Sequence, residues 1–372
     1  MSEQNVEFSP GLAGVIAGES SICWVDPNSG LRYRGYDVDD LARDSSFEEI
    51  AWLLLQGEMP SDAQLKTFRN QLAADRELPP AVIKILHDYP KDARAMDVLR
   101  TGTSLLSSFD PDIGKLDHDA NVRKSIRLLA RMTTLVTASW RIMHGHQPVD
   151  KGEDLTLAGR FLFSLTGHAP KPWQIKALNI MLILYAEHEF NASTFAARVT
   201  ASTLADIYSA VVSAIGTLEG PLHGGANEEA MKMLRDIGSA GNAEAWVKER
   251  LAKREKIMGF GHRVYRTGDS RVPITRRVLG EVAAERGQPH WLEVCMKLEE
   301  VMQKEKGLFA NLDLYAAPIL YLLEIPAALN TPIFACSRVT GWCAHVIEQQ
   351  DHNRLIRPRC LYRGPEPRSL PR

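Results

Sequence analysis

Three residues of this chain have the types and settings needed for acid–base chemistry. His223 lies in Pro-Leu-His-Gly-Gly-Ala-Asn and His262 in Gly-Phe-Gly-His-Arg, so each histidine sits in a glycine-rich loop. Glycines beside a histidine let the backbone approach a ligand closely. Asp313 is flanked by two leucines, and burial in such a setting raises the pKa of a carboxylate towards that of a usable base. The three residues predict a site that moves protons.

Each of the three also has an ordinary structural explanation. His223 directly precedes a predicted helix, whose positive end disfavours an imidazolium, so we expect a neutral ring that donates a hydrogen bond. A histidine held in a tight turn would show the same sequence. A solvated basic loop would explain His262 and its neighbours, and Asp313 could be only the N-cap of the apolar helix that follows it.

Several cationic and polar residues could hold an anionic ligand. Arg263, Arg266 and Arg271 follow closely after the second histidine loop, and arginine binds carboxylates and phosphates bidentately. Arg338 lies among apolar residues of a predicted helix and needs an anionic partner there. His188, in Glu-His-Glu-Phe-Asn-Ala-Ser, ends an apolar helix, where a local cap is the alternative to a ligand contact.

The elements that must position these residues are almost all helical. Residues 18–36 predict a β-hairpin around Asp-Pro-Asn-Ser-Gly. Ser46 and Glu49 have capping-box spacing, and Ser61 is the candidate cap of the next helix. Residues 173–185 predict a buried central helix, and 194–218 predict a second, alanine-rich one. The fold class is therefore all-α with one small N-terminal β-hairpin.

Length and composition bound the organisation of the protein. A chain of 372 residues predicts about two domains. Residues 222–320 are more charged and have shorter helices, so we expect a small inserted domain there, with residues 1–221 and 321–372 forming a large helical domain.

The net charge of −2 argues against nucleic acid as a partner. The five cysteines fit no disulfide framework and predict reduced, buried thiols.

The sequence gives no indication of membrane insertion or secretion. The longest apolar run is far shorter than the roughly 20 residues that span a bilayer. The first residues are acidic where a signal peptide needs basic ones, and no apolar segment follows them. We therefore expect a cytoplasmic protein that does not bind membranes.

Several long motifs together resemble the citrate synthase family. They are GPLHGGANEEAM, MGFGHRVYR-x-x-D-x-R, NLD-x-Y, S-R-x-x-G-W-x-A-H-x-x-E-Q and I-R-P, and the resemblance covers essentially the whole chain. It implies a mostly helical homodimer of two-domain subunits with the active site in the cleft between the domains. It also implies a transferase of the tricarboxylic acid cycle that condenses acetyl-CoA with oxaloacetate, without a metal or other cofactor.

The resemblance assigns a role to each motif residue. Asp313 takes a methyl proton from acetyl-CoA, His223 donates to the thioester oxygen, and His262 protonates the oxaloacetate carbonyl. The oxaloacetate-binding residues are His188, Asn191, Arg271, Arg338 and Arg357, the last acting in the neighbouring subunit. The implied CoA contacts are Lys256, Met258, Gly259, Phe260, Gly261 and Arg266.

Elementary chemistry agrees with this assignment. A thioester α-proton is very weakly acidic, so the charge that develops on the oxygen needs a preorganised donor as well as a base.

The chain lacks the N-terminal extension of the NADH-inhibited members, so we expect no inhibition by NADH. The alternatives are a 2-methylcitrate synthase using propionyl-CoA and a non-catalytic paralogue that binds CoA or a dicarboxylate. PLHGG, GHRVY and NLDLYAAP favour citrate synthase.

Overall fold

The computed structural model describes residues 8–26, 30–149, 156–261, 264–265 and 268–370. Helices dominate it and account for nearly all its regular structure. The α-helices are α1 Val38–Asp44, α2 Phe47–Gln56, α3 Asp62–Asp75, α4 Pro80–Asp88, α5 Ala95–Leu106, α6 His118–Met143, α7 Leu157–Thr166, α8 Pro172–Tyr185, α9 Ala192–Ser202, α10 Ile207–Leu218, α11 Ala226–Ile237, α12 Ala240–Ala252, α13 Val272–Glu285, α14 His290–Lys306, α15 Leu312–Leu322 and α16 Asn330–Asp351. Short 3₁₀ turns occupy Pro10–Leu12, Ser107–Phe109 and Ala327–Leu329. The predicted all-α class is confirmed.

The predicted hairpin is present as part of a small antiparallel sheet. Strand β1 (Cys23–Asp26) pairs with β2 (Gly30–Tyr33), and β2 pairs with β3 (Tyr36–Asp37). The third strand is an addition to the prediction, and the hairpin turn at 27–29 lies outside the described residues. The buried Tyr33 hydroxyl lies 3.0 Å from the carbonyl oxygens of both Ile183 and Glu187. The sheet thus packs against the end of α8, next to a predicted site residue.

Local capping signals define the early helices as the sequence predicts. Ser46 and Glu49 form a capping box at the start of α2, and Gly57 ends that helix with φ of 93°. Ser61 forms a second capping box with Gln64 at the start of α3. These reciprocal hydrogen bonds satisfy backbone donors that a helix start otherwise leaves unpaired.

The sequence predicts one continuous helix over residues 194–218, and this prediction is wrong. The alanine-rich stretch 194–218 is two helices, α9 and α10. Leu204 adopts φ of 64°, which no helix interior tolerates, and the Asp206 side chain caps α10 by accepting from Ser209 N. Helices α1 and α7 were not predicted. Both are short, and α7 follows a loop whose residues 150–155 are not described.

The core is built around α16, whose residues are buried along most of its length. It packs on α6, α9, α10, α2 and α8, and the second half of α8 is buried on all sides. Helices α11 to α15 pack mainly on one another, with contacts to α8 and α16. Four of the predicted site residues, His188, Asn191, His223 and Asp313, lie at or just before the N-terminal ends of α9, α11 and α15.

The described residues add three further observations. All five cysteines are free thiols, four of them buried as predicted, while Cys360 is exposed. Within the described ranges, no helix has the length and apolar character that crossing a bilayer would require. The same residues contain no group of three or more His, Cys, Asp or Glu side chains placed to hold a metal ion.

Candidate active site

His223 is held in a tight turn between α10 and α11. Its backbone N–H donates to Gly220 O at 2.9 Å, and Gly224 N donates to Leu218 O at 2.9 Å. A side chain at Gly224 would bring its Cβ within 2.7 Å of Leu218 O, so the turn requires glycine there. The close approach at Gly224 is to Leu218 of the same chain, and the predicted close approach of a ligand stays a prediction.

Hydrogen bonds around the His223 ring fix its tautomer. Nε2 lies 3.3 Å from the backbone N–H of Ser193 and 2.9 Å from its Oγ. A backbone N–H can only donate, so Nε2 accepts and the proton of the neutral ring is on Nδ1. Ser193 is itself held, because Trp342 Nε1 donates to its Oγ at 3.1 Å. The ring therefore presents Nδ1–H as a donor.

The predicted neutrality of His223 is confirmed. Burial and the positive charge of Arg338 lower the pKa of His223 to about 4. The ring is then uncharged throughout the neutral pH range. Ser193, which orients the ring, was missed by sequence reasoning; its only signal is a position two residues after the helix cap Asn191.

Asp313 occupies the first turn of α15 and is not its cap. The cap is Asn311, whose side chain accepts from Asp313 N at 3.1 Å. Burial raises the pKa of Asp313 to about 6, with Arg271 opposing the rise and Asp269 adding to it. The predicted rise in its pKa is confirmed, and a carboxyl with this pKa is ionised at neutral pH yet basic enough to accept a proton.

The glycine loop before His262 runs beside the start of α15. Gly261 N donates to Phe309 O and Asn311 N donates to Gly259 O, each at 2.9 Å. Asn311 Nδ2 also donates to Gly261 O at 3.0 Å. Gly259 has φ of 81°, and a Cβ there would lie 2.8 Å from Leu314 Cβ. The loop and the Asp313 turn therefore form one unit.

His262, Arg263 and Arg266 lie outside the described residues, so their roles stay predictions. Lys256 is exposed and Met258 is partly buried, on the same loop.

Arg271 connects the second histidine loop to Asp313. Asp269 binds the Arg271 guanidinium through both carboxylate oxygens, at 2.9 Å to Nε and 2.8 Å to Nη2. Asp269 Oδ2 also accepts from Leu312 N at 3.1 Å, at the start of α15. Burial alone would lower the pKa of Arg271, but Asp269 reverses this and the pKa is raised. Asp269 appeared in the sequence motif but had no predicted role.

Arg338 is a buried guanidinium reaching the end of α8. Its Nε donates to Tyr185 O at 2.6 Å, and its guanidinium carbon lies 4.6 Å from the Phe334 ring centre. Burial lowers the pKa of Arg338, and the negative charge of Glu187 partly opposes this. Glu187 thus acts on Arg338 through its charge, and the predicted anionic partner in direct contact with this arginine stays a prediction.

His188 and Asn191 lie between α8 and α9. His188 is buried, and its Nε2 lies 3.2 Å from the Tyr265 hydroxyl. The Asn191 side chain accepts from Thr194 N at 3.0 Å and caps α9. For Asn191 these are the contacts of a helix cap, and its predicted contact with substrate stays a prediction.

Arg357 is exposed and lies at the other end of α9. Ile356 N donates to Ser202 Oγ at 3.1 Å, at the last residue of that helix. His188 and Ser193 are near the first residue, and ten helical steps span about 15 Å. This separation is longer than an arginine side chain, so within one subunit Arg357 is apart from the other predicted site residues.

The residues described above have the chemical groups that proton transfer and anion binding require. A neutral histidine donor, a carboxyl with a raised pKa and two buried guanidiniums influence one another electrostatically: Arg338 acts on His223, and Arg271 acts on Asp313. Such a set can deprotonate a weak carbon acid, stabilise the resulting oxyanion and hold a dicarboxylate.

Comparison with known proteins gives a consistent result over the full chain. Residues 11–359 match the family model for the citrate synthase C-terminal domain. The chain is 45% identical over 357 residues to citrate synthase 2 of Bacillus subtilis, covering 96% of each protein. It is 44% identical over 370 residues to 2-methylcitrate synthase of Mycobacterium tuberculosis, covering 99% of this chain and 94% of the relative.

A solved structure agrees with the sequence comparisons. The citrate synthase of Thermoplasma acidophilum, in ternary complex with carboxymethyl coenzyme A and oxaloacetate, matches with a TM-score of 0.91 and 32% identity over 98% of both chains. With the site geometry described above, these matches show that the chain belongs to the citrate synthase family.

Proposed function

We propose that this protein is a citrate synthase, an acyltransferase that condenses acetyl-CoA with oxaloacetate and water to give citrate and CoA. The observation that carries the proposal is the combination of a neutral His223 presenting Nδ1–H with an Asp313 whose pKa is raised to about 6. Removal of a thioester α-proton needs both a base and a donor to the developing oxyanion.

In this mechanism the Asp313 carboxylate takes one methyl proton from acetyl-CoA. The electron pair moves to the thioester oxygen, which accepts a hydrogen bond from His223 Nδ1–H, so the intermediate is an enol or enolate. Its methylene carbon attacks the oxaloacetate carbonyl carbon, and His262 gives a proton to the new alkoxide. Water then hydrolyses the citryl thioester, which releases citrate and CoA.

Oxaloacetate binding is assigned to the polar residues around α8 and α9. Arg271 and Arg338 are buried cations suited to carboxylates, and His188 and Asn191 are assigned to the same ligand. Asp269 neutralises Arg271 and fixes its orientation, which lowers the cost of burying the guanidinium. The acetyl-CoA contacts are assigned to Lys256, Met258, Gly259, Phe260, Gly261 and Arg266.

The proposed domain division is residues 1–221 with 321–372, and residues 222–320. His223, His262 and Asp313 belong to the inserted part, whereas His188 and Arg338 belong to the larger one. We propose that oxaloacetate binds first and draws the two parts together, which excludes water from the thioester. Small-angle scattering should show a smaller radius of gyration with oxaloacetate, and an unchanged radius would contradict closure.

The proposed assembly is a homodimer in which Arg357 acts in the neighbouring subunit. Its support is the position of Arg357 about 15 Å along α9 from His188. A dimer would also cover exposed apolar side chains, namely Leu204 just after α9 and Leu355, Leu361 and Tyr362 in the C-terminal segment.

Mixed dimers test this assembly directly. Arg357→Ala and Asp313→Ala are each expected to be inactive, and refolding them together puts both defects in one site of the mixed dimer and leaves the other site intact. Half of the dimers then carry one good site, so activity should return to about a quarter of wild type. A mixture that stays inactive although mixed dimers are detected would place Arg357 in its own subunit's site.

The second candidate function is 2-methylcitrate synthesis from propionyl-CoA, because 2-methylcitrate synthases match almost as closely as citrate synthases. Thiol release with oxaloacetate should be measured with acetyl-CoA and with propionyl-CoA. We expect the higher kcat/KM with acetyl-CoA. A preference for propionyl-CoA would favour the alternative, and release with neither would favour a binding protein.

No metal or other cofactor is assigned a step in this mechanism. We also propose that the enzyme acts in the cytoplasm, where free thiols stay reduced, since all five cysteines are unpaired. Subcellular fractionation would test this location.

A further inference from the structure

A buried carboxylate lies directly behind the proposed oxaloacetate site. Glu187 is completely buried, and its Oε1 accepts from His188 N at 2.8 Å and from His345 Nε2 at 3.1 Å. Its Oε2 has no hydrogen-bond partner among the described residues. A buried carboxylate is costly unless it is well bonded or serves as a counter-charge, so this residue needs a reason.

The neighbouring helix leaves space for this carboxylate. A Cβ at Gly341 of α16 would lie 2.0 Å from Glu187 Oε2 and 2.5 Å from Ala186 O. Any larger residue at 341 would displace Glu187 from its place. The glycine therefore lets Glu187 lie against the bare backbone of α16, a helix buried along most of its length.

His345 holds Glu187 in one orientation. Its Nδ1 lies 2.9 Å from Arg198 Nη1, and a guanidinium only donates, so Nδ1 accepts. The proton of a neutral ring is then on Nε2, which donates to Glu187. Arg198 in turn pairs with Glu348 at 2.7 Å. A chain of polar groups thus runs from the partly buried Glu348, through Arg198, His345 and Glu187, to the backbone of His188.

Glu187 acts on two residues that are assigned to oxaloacetate, His188 through a hydrogen bond and Arg338 through its charge. Its bond to His188 N holds a turn in which the next residue, Glu189, has φ of 55°, a conformation that costs free energy for any residue except glycine. Its negative charge also acts on Arg338, which has another cation, Arg271, nearby. Glu187 therefore fixes the position of one proposed ligand and balances the charge of another.

We propose that Glu187 is a positioning residue for oxaloacetate binding, acting through the His188 backbone and the Arg338 charge, and that His345 holds its carboxylate in place. This inference rests on the proposed function, since its readout is oxaloacetate affinity. It differs from a purely structural role because it predicts a selective loss of one substrate.

Two substitutions of similar size separate the two hydrogen bonds of His345. The amide nitrogen of His345→Gln reaches the position of Nε2 and can still donate to Glu187. His345→Asn reaches only the position of Nδ1, so it can bond Arg198 but not Glu187. Glu187→Gln keeps the shape and removes the charge. Thr340→Val is the matched control, because it alters a buried residue of the same helix whose Oγ1 has no partner in the described structure.

For each variant, calorimetry measures the oxaloacetate Kd. The acetyl-CoA KM at saturating oxaloacetate and the Tm are measured on the same proteins. We expect His345→Asn and Glu187→Gln to raise the oxaloacetate Kd at least about tenfold. His345→Gln should stay within about threefold of the Thr340→Val control, with the acetyl-CoA KM of all variants within about twofold.

Two results would overturn the inference. One is an unchanged oxaloacetate Kd in Glu187→Gln and His345→Asn with a lowered Tm, which would show a structural role only. The other is an equal effect of the Gln and Asn variants at His345, which would exclude the bond to Glu187. Wild-type protein that binds no oxaloacetate would overturn the proposed function itself, and this inference with it.

Discussion

Replacing Asp313 by asparagine is expected to stabilise the unliganded protein while abolishing its activity. Burial raises the pKa of Asp313 from 3.8 to about 6. Each pKa unit corresponds to about 1.4 kcal/mol, so keeping this carboxylate ionised at pH 8 costs up to about 3 kcal/mol of folding free energy. Asparagine has the same shape without the charge and removes this cost.

The cost depends on pH in a defined direction. Since the folded pKa is above the unfolded pKa, the cost is absent below about pH 4, grows between pH 4 and 6, and is complete above the folded pKa. The stability difference between Asp313→Asn and wild type should therefore be largest at pH 8 and nearly vanish at pH 4. A carboxylate in a stabilising ion pair shows the opposite pH dependence, because its ionisation stabilises the folded protein.

Thermal unfolding at fixed protein concentration measures this difference. For 372 residues the unfolding entropy is on the order of 0.8 kcal/mol/K, so a gain of 3 kcal/mol raises Tm by about 4 °C. Asp269→Asn is the matched control: it removes a carboxylate bound by Arg271 and should lower Tm. An Asp313→Asn protein no more stable than wild type at pH 8, or a difference that does not shrink on acidification, would refute the reasoning.

Three further outcomes are expected. The kcat/KM for acetyl-CoA should fall as pH decreases through about 6, because Asp313 must be ionised to accept a proton; a flat profile down to pH 5 would argue against this base. Ser193→Ala should lower kcat about tenfold with little change in oxaloacetate KM, since it removes one hydrogen bond that orients His223, and an unchanged kcat would contradict that role. Gly259→Ala should lose about 1–3 kcal/mol in urea unfolding and more than Gly261→Ala, which has a similar φ but open space where the new methyl group would lie; equal losses would show that crowding is unimportant.

The parts of the fold that the sequence predicts are those with local causes. The capping boxes at Ser46 and Ser61 are complete within four residues, and the hairpin pairs strands that are close in the chain. The break between α9 and α10 was missed because both helices have the same small, apolar composition. Only the backbone of Leu204 and the cap at Asp206 separate them.

The candidate site shows the same division between local and distant causes. Motifs around His223 and Asp313 make them candidate site residues, and the apolar neighbours of Asp313 correctly predict a raised pKa. The groups that orient them come from elsewhere in the chain. Ser193 is 30 residues from His223, and Asp269 is 43 residues from the Leu312 N–H that it binds. Such pairs depend on the packing of α9, α11 and α15, which no local pattern specifies.

The rate of citrate formation by wild type and by Asp313→Ala tests the central claim most directly. Both proteins are given saturating oxaloacetate and acetyl-CoA at pH 8, thiol release is followed, and the product is identified by mass. The account predicts that the wild type forms citrate and that the variant, with its fold and oxaloacetate binding intact, is slower by on the order of 10²–10⁴. A variant within tenfold of wild type, or a wild type that releases thiol without forming citrate, would contradict it.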